Sequence, residues 1–583
     1  MVKKLDKVDV VIVGTGWSGG IPAAELTKKG YKVVALERGK AKTREDFIGS
    51  KDELRYNRRF DLMQDLTIET LTSRNTMDEV AKPLRNNSSL IVGTDTGGSS
   101  IHWNGVTYRY YPYDFEIYSK TVEKYGKDKI PKDMTLQDWG ITYDELEPYY
   151  DQFEKTAGTS GEDNPLGPPR SDEYPNPPLK KNPQIRLFQK AATELGYHPY
   201  MSPAGNLSQQ YTNPDGETIN ACMYCSYCAL YGCDFGAKSD PLVTVLETAK
   251  KTGNFEIRNE SYVTRVVHDG KRATALRYTD MKTGEECEQP ADLVIVAGFA
   301  FTNNRLLLLS EIGTPYNPET RTGVIGKNMT GHDNNIDIIN VTGFFEDKKF
   351  NSYAGAGSLQ TCYADYCADN FDHKDFDFIH GLDIETTSAG QRPITANPVP
   401  KGTPSWGKEF KDKSLHYTSR HMVIRLQKAA LPSYHNYYDL DPTYKDAFGD
   451  PLLRVTRKYT EQDRKLAEFG ITKGKELLEK MEADIIEPAN VPDDFPHTYT
   501  SGHYGGGVIM GSDPKTSAVN NYSQMWDMEN LFVVGSSAFP HFSNYNPTGT
   551  IGALAYRAAE GMDAYLKGEG GLLVEAEKDM KTV

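Results

Sequence analysis

Four cysteines, Cys222, Cys225, Cys228 and Cys233, fall within twelve residues in a C-x2-C-x2-C-x4-C run. Thiolates this close in sequence wrap a cubane-type iron–sulfur cluster more comfortably than zinc, whose structural sites draw ligand pairs from both sides of a longer loop. The last interval is one residue longer than in bacterial ferredoxins and no proline follows, so zinc and unligated thiols stay open as alternatives. A second constellation lies near the start of the chain, where Gly14, Gly16 and Gly19 are spaced G-x-G-x-x-G. The first glycine permits a tight turn, the second lets a pyrophosphate approach the backbone, and the third lets a helix pack on a strand. Phosphate charge then falls at the helix N-terminus. Glu37, 18 residues after Gly19, can accept from ribose hydroxyls, with Arg38 beside it.

Those residues need a scaffold. Residues 8–13 read as a buried strand, 17–29 as a helix and 32–36 as a second strand ending at Glu37, a βαβ unit with its acid in place. A second glycine-rich element spans 93–105. The stretch 40–85 is charged and reads as helical or irregular. Between about 114 and 211 the chain is rich in proline, tyrosine and charge, with helices expected at 142–155 and 182–195. Strand patterns return at 255–257, 263–267, 273–278 and 293–297. Alternation within 336–456 predicts an antiparallel sheet, followed by an amphipathic helix at 460–481. A strand at 531–534 and a helix at 549–566 close the chain. The nucleotide fold is entered, left, re-entered near 255, left near 335 and re-entered near 500, which predicts two interleaved domains.

A chain of 583 residues is too long for one core. Its net charge of -15 excludes nucleic acid, whose phosphates demand a basic face. No apolar run approaches the roughly 18 residues needed to cross a bilayer. The first residues carry neither an apolar signal segment nor a twin-arginine pair, so the expectation is either cytoplasmic residence or export with a partner that carries the signal. Cys287, Cys362 and Cys367 read as free thiols, a 362–367 pair being the alternative in an oxidising compartment.

Three segments extend the picture. The run Gly97-Gly98-Ser99-Ser100-Ile101-His102-Trp103-Asn104-Gly105 resembles the flavin-contacting loop of glucose-methanol-choline (GMC) oxidoreductases. Ala297-Gly298, the Leu-Leu-Leu-Leu-Ser-Glu-Ile-Gly run of 306–313 and Gly326-Lys327-Asn328-Met329 resemble that family's central signature. The runs 530–540 and Asn546-Pro547-Thr548-Gly549-Thr550 resemble its C-terminal one. The resemblance implies an α/β fold, α+β overall: a discontinuous Rossmann-like FAD-binding domain (1–125, 221–335 with the cysteine loop, and 496–583) and a substrate domain on an antiparallel sheet (336–495), with 126–220 as an excursion. It implies FAD contacts from Gly97, Gly98, Ser99, His102, Asn104, Gly105, Val263, Ala297, Gly535, Asn546, Pro547 and Thr548.

In the family, the positions of His503 and Asn546 hold the pair that faces the flavin. The chemistry suits such a pair, because an alcohol carbon yields hydride readily only as its hydroxyl proton is taken. An imidazole does this near neutrality. Asn546 can hold the same oxygen without competing for the proton. The setting of His102 resembles that of pyranose oxidases, where the histidine is joined covalently to the flavin; a hydrogen-bonding histidine is the alternative. The cysteine segment resembles the large subunits of bacterial dye-linked dehydrogenases of gluconate, fructose, sorbitol and ketogluconate, in which three cysteines hold a three-iron cluster.

The implied activity is oxidation of a sugar acid, sugar or polyol, gluconate to 2-ketogluconate first, with electrons leaving through the cluster to a cytochrome c or quinone. The implied partner is a small subunit with the export signal, placing the enzyme on the outer face of the cytoplasmic membrane. Arg420, His421, Arg425 and His435 are candidates for binding the acid's charge. The rival readings are an oxygen-using sugar oxidase or glycoside 3-dehydrogenase, and a non-catalytic electron-transfer flavoprotein.

Overall fold

The computed structural model describes residues 2–47, 53–57, 59–351, 353–390, 397–568 and 570–577. Val8–Val13 is the inner strand of an eight-stranded sheet. Val33–Leu36 lies parallel on one side, with Val10 opposite Val33, and Glu286–Val296 lies parallel on the other, with Val10 opposite Leu293. Phe255–Arg258 and Leu531–Val533 extend the two flanks, both in parallel register. Parallel strands are buried on both faces, which is why they show as continuous apolar runs. Helices Trp17–Lys28 and Thr548–Lys567 cover one face, burying Ile21, Leu26, Ala555 and Met562 with Val10 and Ile12.

The strand expected at 293–297 is only the apolar end of the eleven-residue Glu286–Val296. Its polar first half, which no hydrophobic pattern marks, pairs antiparallel with Ala273–Asp280, and that strand with Ser261–His268.

A second sheet has six strands, all neighbours antiparallel. Their order is Ile485–Pro488, Ile338–Phe344, His421–Lys428, Leu382–Thr387, Gln360–Tyr363 and Tyr200–Met201. Helix Glu461–Lys480 lies across it, its start fixed by a reciprocal capping box between Thr460 and Asp463. Contact is close because a Cβ on Gly470 would sit 2.8 Å from Leu382 Cδ2, and one on Gly474 would sit 3.0 Å from Val341 Cγ2.

Two expectations are corrected. Tyr437–Lys445 and Pro451–Thr456 do not join the six-stranded sheet; with Leu71–Arg74 and Lys82–Pro83 they form a separate four-stranded one. The stretch 40–85, read as helical or irregular, therefore supplies two strands. Leu71–Arg74 is four residues long, too short to show alternation, and it is fixed by parallel pairing with the distant Leu453–Thr456. The helices expected at 142–155, 182–195, 460–481 and 549–566 are Tyr143–Ala157, Pro183–Glu194, Glu461–Lys480 and Thr548–Lys567. No helix among the described residues is long and apolar enough to cross a membrane. Cys362 and Cys367 are free, buried thiols in separate hydrogen bonds, to Tyr108 Oη (3.4 Å) and from Asn544 Nδ2 (3.1 Å).

Candidate active site

A cavity of about 420 Å³ is walled by both large sheets: Val13 and Leu36 end parallel strands, and Ile338 and Arg425 come from the antiparallel one. Gly14, Gly16, Glu37 and Arg38 line it at the C-terminal ends of the parallel strands, where open α/β sheets bind ligands. Gly14 has φ of 89°, and a Cβ there would meet Ala297 O at 2.9 Å. Gly19 is not on the wall; a Cβ on it would lie 2.2 Å from Gly14 O, so its part is to let the helix rest on the turn. Glu37 Oε2 accepts from Thr15 N (3.1 Å) and Thr15 Oγ1 (2.8 Å), and Oε1 accepts from Gly39 N (3.1 Å), leaving Oε1 with acceptor capacity. Burial raises the pKa of this carboxyl.

From the second glycine-rich loop, Gly98, Ser99, His102 and Asn104 line the cavity, while Gly97 and Gly105, with φ of 92° and 97°, turn the chain behind it. Val263, Ala297, Pro547 and Thr548 complete the wall, and Ser536 occupies the place expected of Gly535. These residues fit FAD. The N-cap Gly16 leaves the first turn of Trp17–Lys28 without a side-chain cap, the arrangement that receives phosphate. His102 Nε2 is buried with no hydrogen-bond partner among the described residues, and burial, with the Lys238 charge, holds its pKa down at about 3. An orphaned buried nitrogen on the cavity wall calls for a partner that the protein itself does not supply.

On the same cavity wall, His503 Nε2 and Asn546 Nδ2 are 3.2 Å apart. A third residue, not foreseen from sequence, fixes their roles. His332 Nε2 lies 2.8 Å from Ser543 O, which can only accept, so that nitrogen carries the proton and His332 Nδ1 is left to accept. His503 Nδ1 lies 3.1 Å from it and therefore donates. His503 Nε2 is thus the bare nitrogen, and Asn546 Nδ2 donates to it. Gln427 Nε2 donates to Asn546 Oδ1 at 3.2 Å, which settles the orientation of the amide. Burial, with His332 and Arg425 nearby, lowers His503 well below the usual imidazole range, and burial brings His332 down to about 4. Both rings are neutral at pH 7. His332 is the third residue after the Gly-Lys-Asn-Met segment, a buried histidine just past a strand end; that position is the only sequence signal it carried.

Of the four candidate anion-binding residues, only Arg425 reaches the cavity. Arg420 donates to Glu346 O and His416 O, His421 Nδ1 bonds Tyr417 O, and His435 packs on Tyr434 with ring centroids 3.9 Å apart.

The cysteine loop abuts the flavin loop. Leu230 N donates to His102 O (2.8 Å), and the buried Lys238 Nζ donates to Trp103 O (2.7 Å), Cys228 O (2.9 Å) and Tyr231 O (2.9 Å). Tyr224 N and Ala237 N point at Cys222 Sγ and Cys233 Sγ, each at 3.4 Å. Yet among the described residues no three His, Cys, Asp or Glu side chains converge as a metal-binding group, so Cys222, Cys225, Cys228 and Cys233 are not arranged as a ligand set. As free thiols, burial pushes Cys222 up to about 12 and Cys225 to about 11.

The sequence matches GMC oxidoreductase profiles over residues 134–334 and 432–555. It is 42% identical to the gluconate 2-dehydrogenase flavoprotein of Pantoea cypripedii, over 98% of this chain and 96% of that one. It is 25% identical to the fructose dehydrogenase large subunit of Gluconobacter japonicus, over 95% of this chain and 97% of that one. Among solved structures, pyridoxine 4-oxidase from Mesorbium loti superposes with a TM-score of 0.58 at 17% identity, covering 96% of this chain and 99% of the other, a likeness of fold. The chain belongs to the GMC oxidoreductase family. It is an FAD-dependent oxidoreductase acting on CH–OH groups.

Proposed function

We propose that the enzyme oxidises a secondary alcohol of a sugar acid, with gluconate to 2-ketogluconate as its reaction and related sugars or polyols as lesser substrates. The observation that carries this is the bare His503 Nε2 beside Asn546 Nδ2, in a cavity continuous with the dinucleotide fingerprint; the 42% identity to a gluconate 2-dehydrogenase flavoprotein supports the substrate. Bound FAD supplies the two-electron acceptor for the hydride of the alcohol carbon. The chain's own residues do the proton work. His503 Nε2 takes the hydroxyl proton, Asn546 Nδ2 donates to the same oxygen as charge grows on it, and His332 Nδ1 holds the imidazole through its other nitrogen. The test is incubation of the purified enzyme with gluconate and an artificial acceptor: 2-ketogluconate should accumulate, and its absence across a panel of aldonates and polyols would dispose of the reading.

Three finer readings belong to the same proposal. The orphaned His102 Nε2 is the place for a covalent flavin bond; flavin should stay with acid-precipitated protein and be released in His102→Ala. The 222–233 loop is proposed as an iron–sulfur site whose thiols close on the cluster only when it is loaded, supported by the backbone N–H groups already aimed at two of its Sγ atoms. Material purified anaerobically without iron or acid-labile sulfide would end that reading. Finally, a small partner subunit is proposed to carry the export signal, with a cytochrome or quinone as the electron acceptor at the outer face of the cytoplasmic membrane, supported by the name "large subunit" of one relative. Fractionation of co-expressed subunits tests it, against retention in the cytoplasm.

A further inference from the structure

We propose that Arg425 anchors the substrate carboxylate and thereby directs oxidation to the hydroxyl on the adjacent carbon, making the enzyme selective for 2-hydroxy acids of the aldonate type. This rests on the dehydrogenase reading above and adds to it a reason for the carbon attacked.

Arg425 and Gln427 are two residues apart on strand His421–Lys428, so they share a face about 7 Å apart along the strand. Gln427 holds Asn546 Oδ1 at 3.2 Å, and Arg425 lines the cavity. One strand therefore sets both the amide that faces the alcohol oxygen and a cation one step further along the wall. The guanidinium is close enough to His503 that its charge helps depress the imidazole. A carboxylate held there shares the cavity wall with the base, and a hydroxyl on the neighbouring carbon is the one such an anchor would keep closest to it. A hydroxyl remote in the chain would be carried away from it.

The guanidinium is held but not used up. Across the sheet Arg425 faces Glu385 and Gln427 faces Asp383. Arg425 Nη1 lies 3.2 Å from Glu385 Oε1, and Glu385 is its one ion-pair partner among the described residues. Asp383 is buried, its Oδ2 has no hydrogen-bond partner among the described residues, and burial next to Glu385 pushes its carboxyl well above the usual range. Arginine presents five N–H donors in a planar fork, enough for Glu385 on one edge and a bidentate carboxylate on another. Of the other arginines on the wall, Arg38 donates to Gln64 Oε1 (2.9 Å) and pairs with Glu69 (3.5 Å), and Arg305 is committed to Tyr262 Oη, Asp446 and the Pro451 carbonyl.

The experiment compares gluconate with gluconamide, which keeps the hydroxyl and loses the charge, using anaerobic flavin reduction by the holoenzyme. The wild type should favour gluconate in kcat/KM by roughly 100-fold, and Arg425→Gln should lose most of that preference, chiefly through KM for gluconate. Arg425→Lys, a point charge without the fork, should fall between them; it carries the comparison if Arg425→Gln fails to retain flavin. Equal use of both compounds by the wild type, or an undiminished preference in the variants, overturns the anchor while leaving the dehydrogenase standing. Failure of the wild type to be reduced by either compound, or by any aldonate, overturns the activity itself and the anchor with it.

Discussion

His332 decides what His503 can do. A histidine beside a cavity is an acid or a base according to which nitrogen bears its proton, and here a backbone carbonyl 2.8 Å from His332 Nε2 propagates that choice to His503. Replacing His332 by phenylalanine keeps bulk and removes the acceptor, so His503 is no longer held in one tautomer. The expected result is a fall in kcat of about 10- to 100-fold, less than for loss of the base itself, with KM for gluconate little changed. A matching rise in KM alone would make His332 a packing residue. The pH profile gives an independent check. The buried His503 has its pKa depressed, so the neutral, proton-accepting form persists below the ordinary imidazole value and is lost only as pH falls through the lowered one. The acid limb of kcat/KM that reports the free enzyme's base should therefore lie below 6.5. A limb at or above that value would contradict the assignment.

Among the elements, the helix that begins after Gly16 matters most for holding the cofactor. A methyl group at Gly19 would lie 2.2 Å from a backbone oxygen, and no side-chain rotation can relieve that clash. Gly19→Ala should lower flavin content and thermal stability together, measured as flavin absorbance per protein and as the melting temperature; unchanged flavin content would show that the turn has slack. The βαβ unit was legible in sequence because its period, glycine spacing and terminal acid all point one way. The long helices were legible through their caps, as at Thr460 with Asp463. What could not be read was pairing between distant segments. Leu71–Arg74 becomes a strand only because Leu453–Thr456 lies beside it, and the polar half of Glu286–Val296 only because Ala273–Asp280 does. The candidate site shows the same limit. His503 and Asn546 stood in recognisable runs, whereas His332 and Gln427 depended on which side chains the fold brings against that pair, and the choice of Arg425 over Arg420, His421 and His435 on which strand face reaches the cavity.

For the whole molecule, the two large sheets divide the labour: the parallel one presents a helix terminus, a carboxylate and glycine turns for the cofactor, while the antiparallel one presents Arg425 to the cavity and, through Gln427, holds Asn546. The 222–233 loop joins the cofactor wall directly through Leu230 and Lys238, so any redox group seated there would be coupled to the flavin loop by protein backbone. The most direct measurement of the central claim, that His503 Nε2 is the base for alcohol oxidation by the bound flavin, is rapid anaerobic mixing with gluconate while flavin absorbance is followed. The wild type should bleach within its turnover time, and His503→Ala with full flavin content should bleach about 10²- to 10⁴-fold more slowly. Equal bleaching rates in the two proteins would contradict the account.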